Sequence, residues 1–436
     1  MAHVSGKGYT FSNVLARKFL AIDSGRLPCP SCRRGISFRE ATMQRQLDSS
    51  MSAIVNPQKK YRFGAILSVG MGNMTRYLNF RKYAERDSEV DFTWAPIKHF
   101  IAPDEPNPFR YLPEPLYTRA VILYQSFPVM RQMHQFDAVL FHMFEAYTVA
   151  CCRNLLWKQP LLIWNNDDPP VVHPSTHPLY PKDFNKLLWR HRFRLGLDLW
   201  CAKRTAAFIP WSAWGKNIWV DECGIPPQRV QPIHPGLDLE LWSITAPPSA
   251  DTAAKPKILF VGGDFVRKGG DLLLQVFSQQ FAESAELHLV TKEPPATALP
   301  NVFVYTDMAP NDGRLAQLYA QADLFVLPTT ADLSSLACLE AMASGCAVIS
   351  TGVGGVRDIV RHGETGLVVP VGDAAALATA IRSLLENPTL RHQMGVQGRK
   401  VVECDFNAAI NATRILAVMK EAVDRKRMEK LSAKFS

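Results

Sequence analysis

Short apolar runs alternate with longer amphipathic stretches along most of the chain from Tyr61 onward. This alternation is typical of a parallel sheet, because parallel strands need crossover helices and lie buried between them. In the first half of the chain it predicts helices over 74–86 and 113–133, and strands in FGAILSVG, VDFTWAPI, FDAVLFH, PLLIWNN, TAAFIPWS and VQPIHPG.

A break in this pattern divides the chain near its middle. Residues 243–256, SITAPPSADTAAKP, are poor in large apolar residues and rich in Pro, Ala, Ser and Thr, which is the composition of a linker. The alternation then restarts. It predicts helices over 269–280, 312–321, 336–344 and 373–386, and strands in KILFVG, ELHLV, NVFVYT, ADLFVLP, CAVIST and GLVVPV.

The sequence therefore predicts an α/β protein with two doubly wound, Rossmann-like domains. We place their bounds at 59–242 and 257–410, on either side of the linker. A helix with a basic end follows over 411–436, and we expect it to return to the first domain. Residues 1–58 show neither sustained strand alternation nor a long amphipathic period, so we interpret them as a poorly ordered appendage.

Composition narrows the class of protein. A chain of 436 residues is too long for one compact core, and its nine cysteines, an odd number without framework spacing, favour reduced thiols in a cytoplasmic protein. Cys29 and Cys32 have the spacing of a zinc knuckle, but a structural zinc site needs a second pair of ligands and none follows nearby. We therefore predict no metal site. An organelle transit peptide stays an alternative, because no acidic residue precedes Asp23.

The formal net charge of +9 is concentrated in the first half, where 1–250 hold 30 basic and 20 acidic residues. The stretch 186–204 combines Trp189 and Trp200 with many basic residues. It predicts either a helix that touches an anionic membrane from the cytoplasmic side or an ordinary core-facing stripe. The basic excess is otherwise diffuse and no nucleic-acid reader motif is present, so we expect no nucleic-acid partner.

The segment GGDFVRKGG, 262–270, lies between a predicted strand and a predicted helix. Its glycines allow close backbone approach, the helix start offers free N–H groups, and Arg267 and Lys268 add cationic donors. These features together predict a site for an anion such as a diphosphate.

Further on, the chain reads LPTTADLSSLACLEAMASGCAVISTGVGGVRDIVRHGETGLVVP. Together with VGGDFVRKGGDLLL, this segment resembles the donor domain of the family-four retaining glycosyltransferases, relatives of the sucrose, trehalose and lipopolysaccharide-core transferases. The resemblance covers about 255–404 and extends upstream through the turn PGLD. It implies the GT-B fold, in which two Rossmann-like domains face each other across a cleft.

The resemblance also implies an activity: transfer of a hexose from a UDP- or GDP-linked donor to a hydroxyl of a glycan, a glycolipid or a small molecule, with retention of configuration. The first domain would bind the acceptor and the second the donor. The nucleotide sugar is then a co-substrate, and no cofactor is expected. The sequence has no Asp-x-Asp motif for a diphosphate-bound metal, so cationic side chains and helix N-termini would stabilise the leaving group.

Within this resemblance, Lys268 matches the lysine that holds the donor phosphates. Gly263 stands where the family usually has an arginine, and Arg267 is the candidate substitute. The family's Glu-x7-Glu signature appears as Asp332-x7-Glu340, which assigns the ribose hydroxyls to Glu340 and a place beside the donor sugar to Asp332. Backbone N–H groups at the start of the following helix would cap the diphosphate, at Ser334, Ser335 and Leu336.

Candidate residues of the first domain follow its predicted strands. Gly70 and Gly72 lie after the first strand, where the family keeps a Gly-rich loop near the donor phosphate. His142 resembles the family's histidine that faces the donor sugar, which makes it a candidate catalytic residue beside Lys268 and Asp332; a structural histidine is the alternative. The pair Asp167 and Asp168 would either bind acceptor hydroxyls or cap the following loop.

Two other interpretations remain open. An NAD-dependent oxidoreductase would carry a third glycine after its first strand and an acid at the end of its second, but this chain has Thr75 at the glycine position and DFTWAPI as the second strand. A non-catalytic sugar-nucleotide-binding protein would account for the departures at Gly263 and Asp332.

Overall fold

The computed structural model describes most of the chain after residue 60. The described residues are 61–70, 72–101, 105–114, 116–156, 160–167, 188–242, 255–296, 299–308 and 312–435. The appendage predicted over 1–58, with Cys29 and Cys32, lies outside them, as do Asp168 and residues 243–254 of the predicted linker.

The first domain is built on a parallel sheet. Its strands are β1 (Tyr61–Ser68), β2 (Val90–Ile97), β3 (Ala138–Phe141), β4 (Leu161–Trp164) and β5 (Ala207–Phe208), in the order β2-β1-β3-β4-β5. The helices are α1 (Asn73–Ala84), α2 (Leu116–Met130), α3 (Phe144–Leu156), α4 (Leu188–Arg204) and α5 (Ala213–Asn217). Shorter helical turns cover Met133–Gln135, Ile218–Glu222 and Pro227–Arg229.

The second domain is built on a second parallel sheet. Its strands are β6 (Lys257–Val261), β7 (Glu286–Val290), β8 (Val302–Tyr305), β9 (Leu324–Leu327), β10 (Ala347–Thr351) and β11 (Gly366–Val369), in the order β11-β10-β9-β6-β7-β8. The helices are α6 (Gly270–Gln280), α7 (Gly313–Gln321), α8 (Leu336–Ala343), α9 (Val356–Ile359), α10 (Ala374–Leu385) and α11 (Pro388–Asp405), and α12 (Ala408–Phe435) follows them. The predicted α/β fold with two doubly wound sheets is confirmed.

Local sequence explains the strands and the helix starts. All four residues of β3 and of β9 are buried, because strands covered on both faces need apolar residues at every position. Five of the described helices begin where a polar side chain accepts a hydrogen bond from a backbone N–H of the first turn. These side chains belong to Ser212, Asp312, Ser335, Asp373 and Asn387.

Two strand predictions in the first domain need correction. The segment VQPIHPG, 230–236, is not a strand: only Val230 pairs, in an isolated bridge to Phe208. Pro232 and Pro235 explain this, because proline has no N–H to donate to a strand ladder. The strand predicted in TAAFIPWS shortens to Ala207–Phe208, which pairs with β4 before Pro210 is reached.

Helix α12 packs on the first sheet although it follows the second. Its apolar side chains are buried in one cluster with residues of β1 and β3, and this cluster includes Phe63, Leu140, Ile415, Met419 and Val423. Ion pairs hold its exposed side, since Lys420 lies 2.9 Å from Asp87 and Arg427 lies 2.9 Å from Asp137. The chain therefore crosses between the two domains twice.

The two crossings lie side by side. The Leu237 N–H donates to the Phe406 carbonyl at 2.7 Å, and the Ala408 N–H donates to the Leu237 carbonyl at 3.0 Å. Gly236 has a φ of +83°, and a Cβ there would lie 2.6 Å from the Ala408 nitrogen. Only glycine fits this close crossing.

None of the described helices is both long enough and apolar enough to cross a membrane.

Candidate functional site

The strand order reverses between β1 and β3 in the first sheet and between β6 and β9 in the second. Open parallel sheets bind ligands beyond the carboxyl ends of their strands at such points. The segments after these four strands contain the predicted site residues Gly70, Gly72, His142, Gly263, Arg267, Lys268, Asp332, Ser334 and Ser335. The topology therefore collects residues that are distant in sequence into two regions of the fold.

Lys268 and Asp332 form an ion pair across the reversal point of the second sheet. The Lys268 ammonium donates to Asp332 Oδ2 at 2.5 Å, and both side chains are largely buried. Burial acts to raise the pKa of Asp332, but the charges of Lys268, Arg76 and Arg267 lower it further, so its net pKa lies below the ordinary value. Asp332 is therefore ionised at neutral pH.

The glycine-rich turn before α6 brings Lys268 to this position. Gly269 has a φ of +78°, and a Cβ there would lie 2.1 Å from the Pro328 carbonyl oxygen at the end of β9. A Cβ at Gly270 would lie 2.3 Å from the Phe265 ring. The turn can therefore approach β9 only with glycine at both positions.

Arg267 and Gly263 take different places on the same turn. The Arg267 guanidinium bonds Asp264 Oδ2 at 2.7 Å and the Ala331 carbonyl at 2.9 Å, so it holds the turn against the loop that carries Asp332. Gly263 is exposed, and the nearest atom to a Cβ there is Cδ of Lys292 at 4.0 Å. The backbone therefore does not require glycine at position 263.

Glu340 lies in α8 with its carboxylate buried. The Tyr319 hydroxyl donates to Glu340 Oε2 at 2.9 Å. Burial raises the pKa of Glu340 to about 7, against the opposing effects of the Tyr319 hydrogen bond and the Arg76 charge. Helix α8 begins at Leu336, after Ser335, whose hydroxyl accepts from the Cys338 N–H at 3.4 Å.

His142 lies directly after β3 and is buried against the edge of the Trp211 ring, 5.3 Å between ring centroids. Its Nε2 bonds Asn165 Oδ1 at 2.9 Å, while Asn165 Nδ2 donates to the Ile209 carbonyl. This arrangement places the proton on Nε2 and leaves Nδ1 as a buried acceptor without a partner among the described residues. Burial lowers the pKa of His142 to about 4, so the ring is neutral at neutral pH.

Asp167 supports a neighbouring segment. Its Oδ1 accepts from the backbone N–H groups of Trp211 at 2.6 Å and Ser212 at 3.1 Å, and its Oδ2 accepts from the Ser212 hydroxyl at 2.8 Å. The side chain is fully buried. This geometry favours the capping interpretation over acceptor binding, although the capped segment is 211–212 and not the loop that follows Asp167 in sequence.

The two glycines of the turn after β1 differ in the space around them: Gly72 has room for a side chain and Gly70 has little. Gly72 has a φ of +87°, and no atom of the described residues lies within 4 Å of a Cβ there, so its backbone conformation is what favours glycine. A Cβ at Gly70 would lie 3.0 Å from the His99 ring, whose Nε2 bonds Ser68 Oγ at 2.9 Å.

Two site residues were missed by the sequence analysis. Arg76, in the first turn of α1, reaches the second domain and donates to the Ser334 carbonyl. His234 bonds the Ser334 hydroxyl through Nε2 at 2.6 Å and accepts from the Gly236 N–H at Nδ1. Arg76 lies four residues after Gly72, and this position after a glycine turn is the sequence signal that could have identified it. His234 lies in the segment predicted to be a strand, so no sequence signal distinguished it.

Comparison with known proteins identifies the second domain. The family described as glycosyl transferases group 1 matches residues 255–387. These residues form a glycosyl transferases group 1 domain. That group 1 domain contains Gly263, Lys268, Asp332, Ser334 and Glu340. A D-inositol 3-phosphate glycosyltransferase of Thermobispora bispora is 28% identical over 228 residues, which are 46% of this chain and 52% of that protein. The chain thus spans about half the length of the curated relatives it matches.

Solved structures extend the similarity of fold beyond the group 1 domain. Sucrose-phosphate synthase of Thermosynechococcus elongatus superposes with a TM-score of 0.66 at 20% identity, over 83% of this chain and 99% of that one. The Anabaena protein Alr3699/HepE in complex with UDP superposes with a TM-score of 0.61 at 14% identity, over 83% and 100% of the two chains. The two domains therefore share the GT-B fold, as predicted.

Proposed function

We propose that this protein transfers a hexose from a nucleotide-sugar donor to a hydroxyl acceptor, with retention of configuration. The observation that carries the proposal is the Lys268–Asp332 ion pair, which stands just before the starts of α6 and α8 in a group 1 domain. Helix starts and a buried lysine together favour an anionic ligand.

The donor diphosphate would lie against Lys268 and the start of α8. As the bond between the sugar and the diphosphate breaks, negative charge grows on the leaving group, and Lys268 stabilises it. Lys268 then shares its hydrogen bonds between the diphosphate and Asp332. The Asp332 carboxylate faces the sugar, where it stabilises the positive charge that develops on the ring. The acceptor hydroxyl attacks on the face that the nucleotide leaves, and its proton passes to the departing diphosphate oxygen.

His142 and Glu340 would fix the two ends of the donor. The free Nδ1 of His142 is an acceptor for a sugar hydroxyl, and the Glu340 carboxylate is an acceptor for the ribose hydroxyls. We propose a UDP- or GDP-linked donor. The Anabaena protein Alr3699/HepE, which shares this fold and was solved in complex with UDP, supports a UDP-linked donor.

We further propose that the acceptor is a glycan or is linked to a lipid. The enzyme would then be cytoplasmic and would touch the inner face of an anionic membrane. Exposed apolar side chains lie along α2 and the loop before it, and they include Tyr111, Leu116, Tyr124 and Phe127. Phe109 of that loop packs against Tyr124, with ring centroids 5.6 Å apart, so loop and helix form one surface. Exposed Arg110 and Arg119 add positive charge to it.

Titration calorimetry with UDP and GDP, followed by assays of UDP- and GDP-hexoses, tests the proposal. We expect one nucleotide to bind and its hexose derivative to be hydrolysed slowly or transferred, with the anomeric configuration of the product read by NMR. Binding without turnover of any donor would favour the non-catalytic alternative. Binding of neither nucleotide would contradict the proposed function.

A further inference from the structure

Ser334 of the second domain is held from two sides by the first domain. Its carbonyl accepts from Nη2 of Arg76, and its hydroxyl bonds Nε2 of His234 at 2.6 Å. The Gly236 N–H donates to His234 Nδ1 at 2.9 Å, so the proton of that imidazole lies on Nε2 and is donated to Ser334. Both contacts span the boundary between the two domains.

Arg76 is an unusual residue for such a contact, because its guanidinium is buried. The side chain is 6% exposed, its carbon Cζ lies 4.6 Å from the centroid of the Trp211 ring, and its Nη1 bonds Asn73 Oδ1 at 3.0 Å. Its Nε has no partner in the described structure. A buried guanidinium with an unpaired N–H lowers the free energy of unfolding, and a further hydrogen-bond acceptor would remove that cost.

The residues around Ser334 are those of the proposed donor site. Asp332, which pairs with Lys268, is two residues before it, and Ser335, which caps α8, directly follows it. The charge of Arg76 acts on both Asp332 and Glu340. A shift of the Ser334 carbonyl would therefore move the helix start at which the diphosphate is proposed to bind.

We propose that Arg76 is a positioning residue, which fixes segment 332–336 through the Ser334 carbonyl and makes the donor site of the second domain depend on contact with the first. The role in donor binding rests on the proposed function. The buried Nε–H has no partner among the described residues of the free protein. A diphosphate oxygen that reached it on donor binding would supply one, in addition to the positioning role.

Hydrogen exchange and nucleotide titration of three variants of the chain test this role. The variant Arg76→Met keeps an unbranched apolar stem and removes the charge and all donors, while Arg76→Lys restores the charge. The control is Arg81→Met on the same helix, because Arg81 is exposed and pairs with Glu85 at 2.8 Å. Without ligand, we expect amides of 332–340 to exchange at least about 10-fold faster in Arg76→Met and at the wild-type rate in Arg81→Met.

The second measurement is the dissociation constant of UDP or GDP, whichever binds the wild type, with kcat and KM of its hexose derivative. In Arg76→Met we expect nucleotide binding about 10-fold weaker and kcat lowered more than KM is raised, because a misplaced helix start stabilises the leaving group less. Arg76→Lys should recover part of both.

The possible failures can be told apart. Unchanged exchange of 332–340 in Arg76→Met overturns the positioning role, whatever the protein binds. Faster exchange with unchanged nucleotide affinity and kcat overturns the link to the donor site. A wild type that binds neither nucleotide contradicts the proposed function, and the exchange rates of the same two variants still decide whether Arg76 fixes the segment.

Discussion

Lys268 pairs with Asp332 in the free protein and is proposed to gain the diphosphate as a further partner when the donor binds. Because the contact to the diphosphate strengthens as the leaving group forms, Lys268→Ala should lower kcat by about 100- to 1,000-fold. The fold should persist, because the charges of Arg76 and Arg267 still act on Asp332 and the glycines that shape the turn are retained. Steady-state kinetics with the donor identified by titration measures kcat, and circular dichroism shows whether the fold persists.

The matched control for this variant is Lys400→Ala, because Lys400 is exposed on α11 in the same domain. We expect its kcat to equal that of the wild type. Turnover close to normal in Lys268→Ala would remove Lys268 from the proposed reaction.

Glu340 makes the stability of the free protein depend on pH. Its pKa is raised from 4.5 to about 7 by burial, so the native state holds a proton that the unfolded state releases. The stabilisation is complete below pH 4.5 and is lost as the pH rises through 7. At about 1.4 kcal/mol per pKa unit, Glu340→Gln should be more stable than the wild type by up to about 3 kcal/mol at pH 8.

Urea unfolding without nucleotide, at pH 5 and pH 8, measures this difference. Glu283→Gln, at an exposed glutamate, controls for the loss of a carboxylate. A stability gap between Glu340→Gln and the wild type that stays the same at both pH values would contradict the raised pKa.

At the scale of secondary-structure elements, the double crossing depends on Gly236. A Cβ there would strike the Ala408 nitrogen, and the φ of +83° is strained for any other residue. We expect Gly236→Ala to lower the free energy of unfolding by about 2–4 kcal/mol. Gly313→Ala at the start of α7 is the control, because a Cβ there meets no atom of the described part of the chain within 4 Å. Equal midpoints of chemical unfolding for the two variants would refute this expectation.

Apolar patterning located the elements well where burial alone decides them. Strands β3 and β9 are apolar and buried at every position, because each lies inside its sheet with a strand on either side. The pattern failed at VQPIHPG, which is apolar enough for a strand but contains two prolines. Its apolar residues Val230 and Ile233 are buried in the two apolar clusters of the first domain, while Gln231 and Pro232 are exposed. Their burial therefore comes from packing and not from strand pairing.

At the scale of the whole molecule, the basic first half can be tested against a membrane. If the acceptor is carried by an anionic lipid, the protein should sediment with anionic vesicles at low salt and leave them as salt rises, since each basic residue near the surface contributes about 1 kcal/mol before screening. Replacing Tyr124 and Phe127 of α2 with Ser should release the protein. Nucleotide affinity should not change.

A second variant tests the stretch 186–204. The structure does not describe the side chains of Arg190, Arg192 and Arg194 in this stretch. Replacing all three with Ser should release the protein only if this stretch, and not α2, forms the contact. A wild type that ignores anionic vesicles even at low salt would indicate a soluble acceptor.

The sequence by itself determined the two doubly wound domains and the candidate residues Lys268, Asp332 and Glu340, because strand burial, linker composition and short-range motifs are local properties. The tertiary structure decided which residues meet. The contact of Arg76 and His234 with Ser334 spans 258 and 100 positions of the chain. The pKa of Glu340 and the neutral ring of His142 likewise follow from burial by distant segments, which no local pattern encodes.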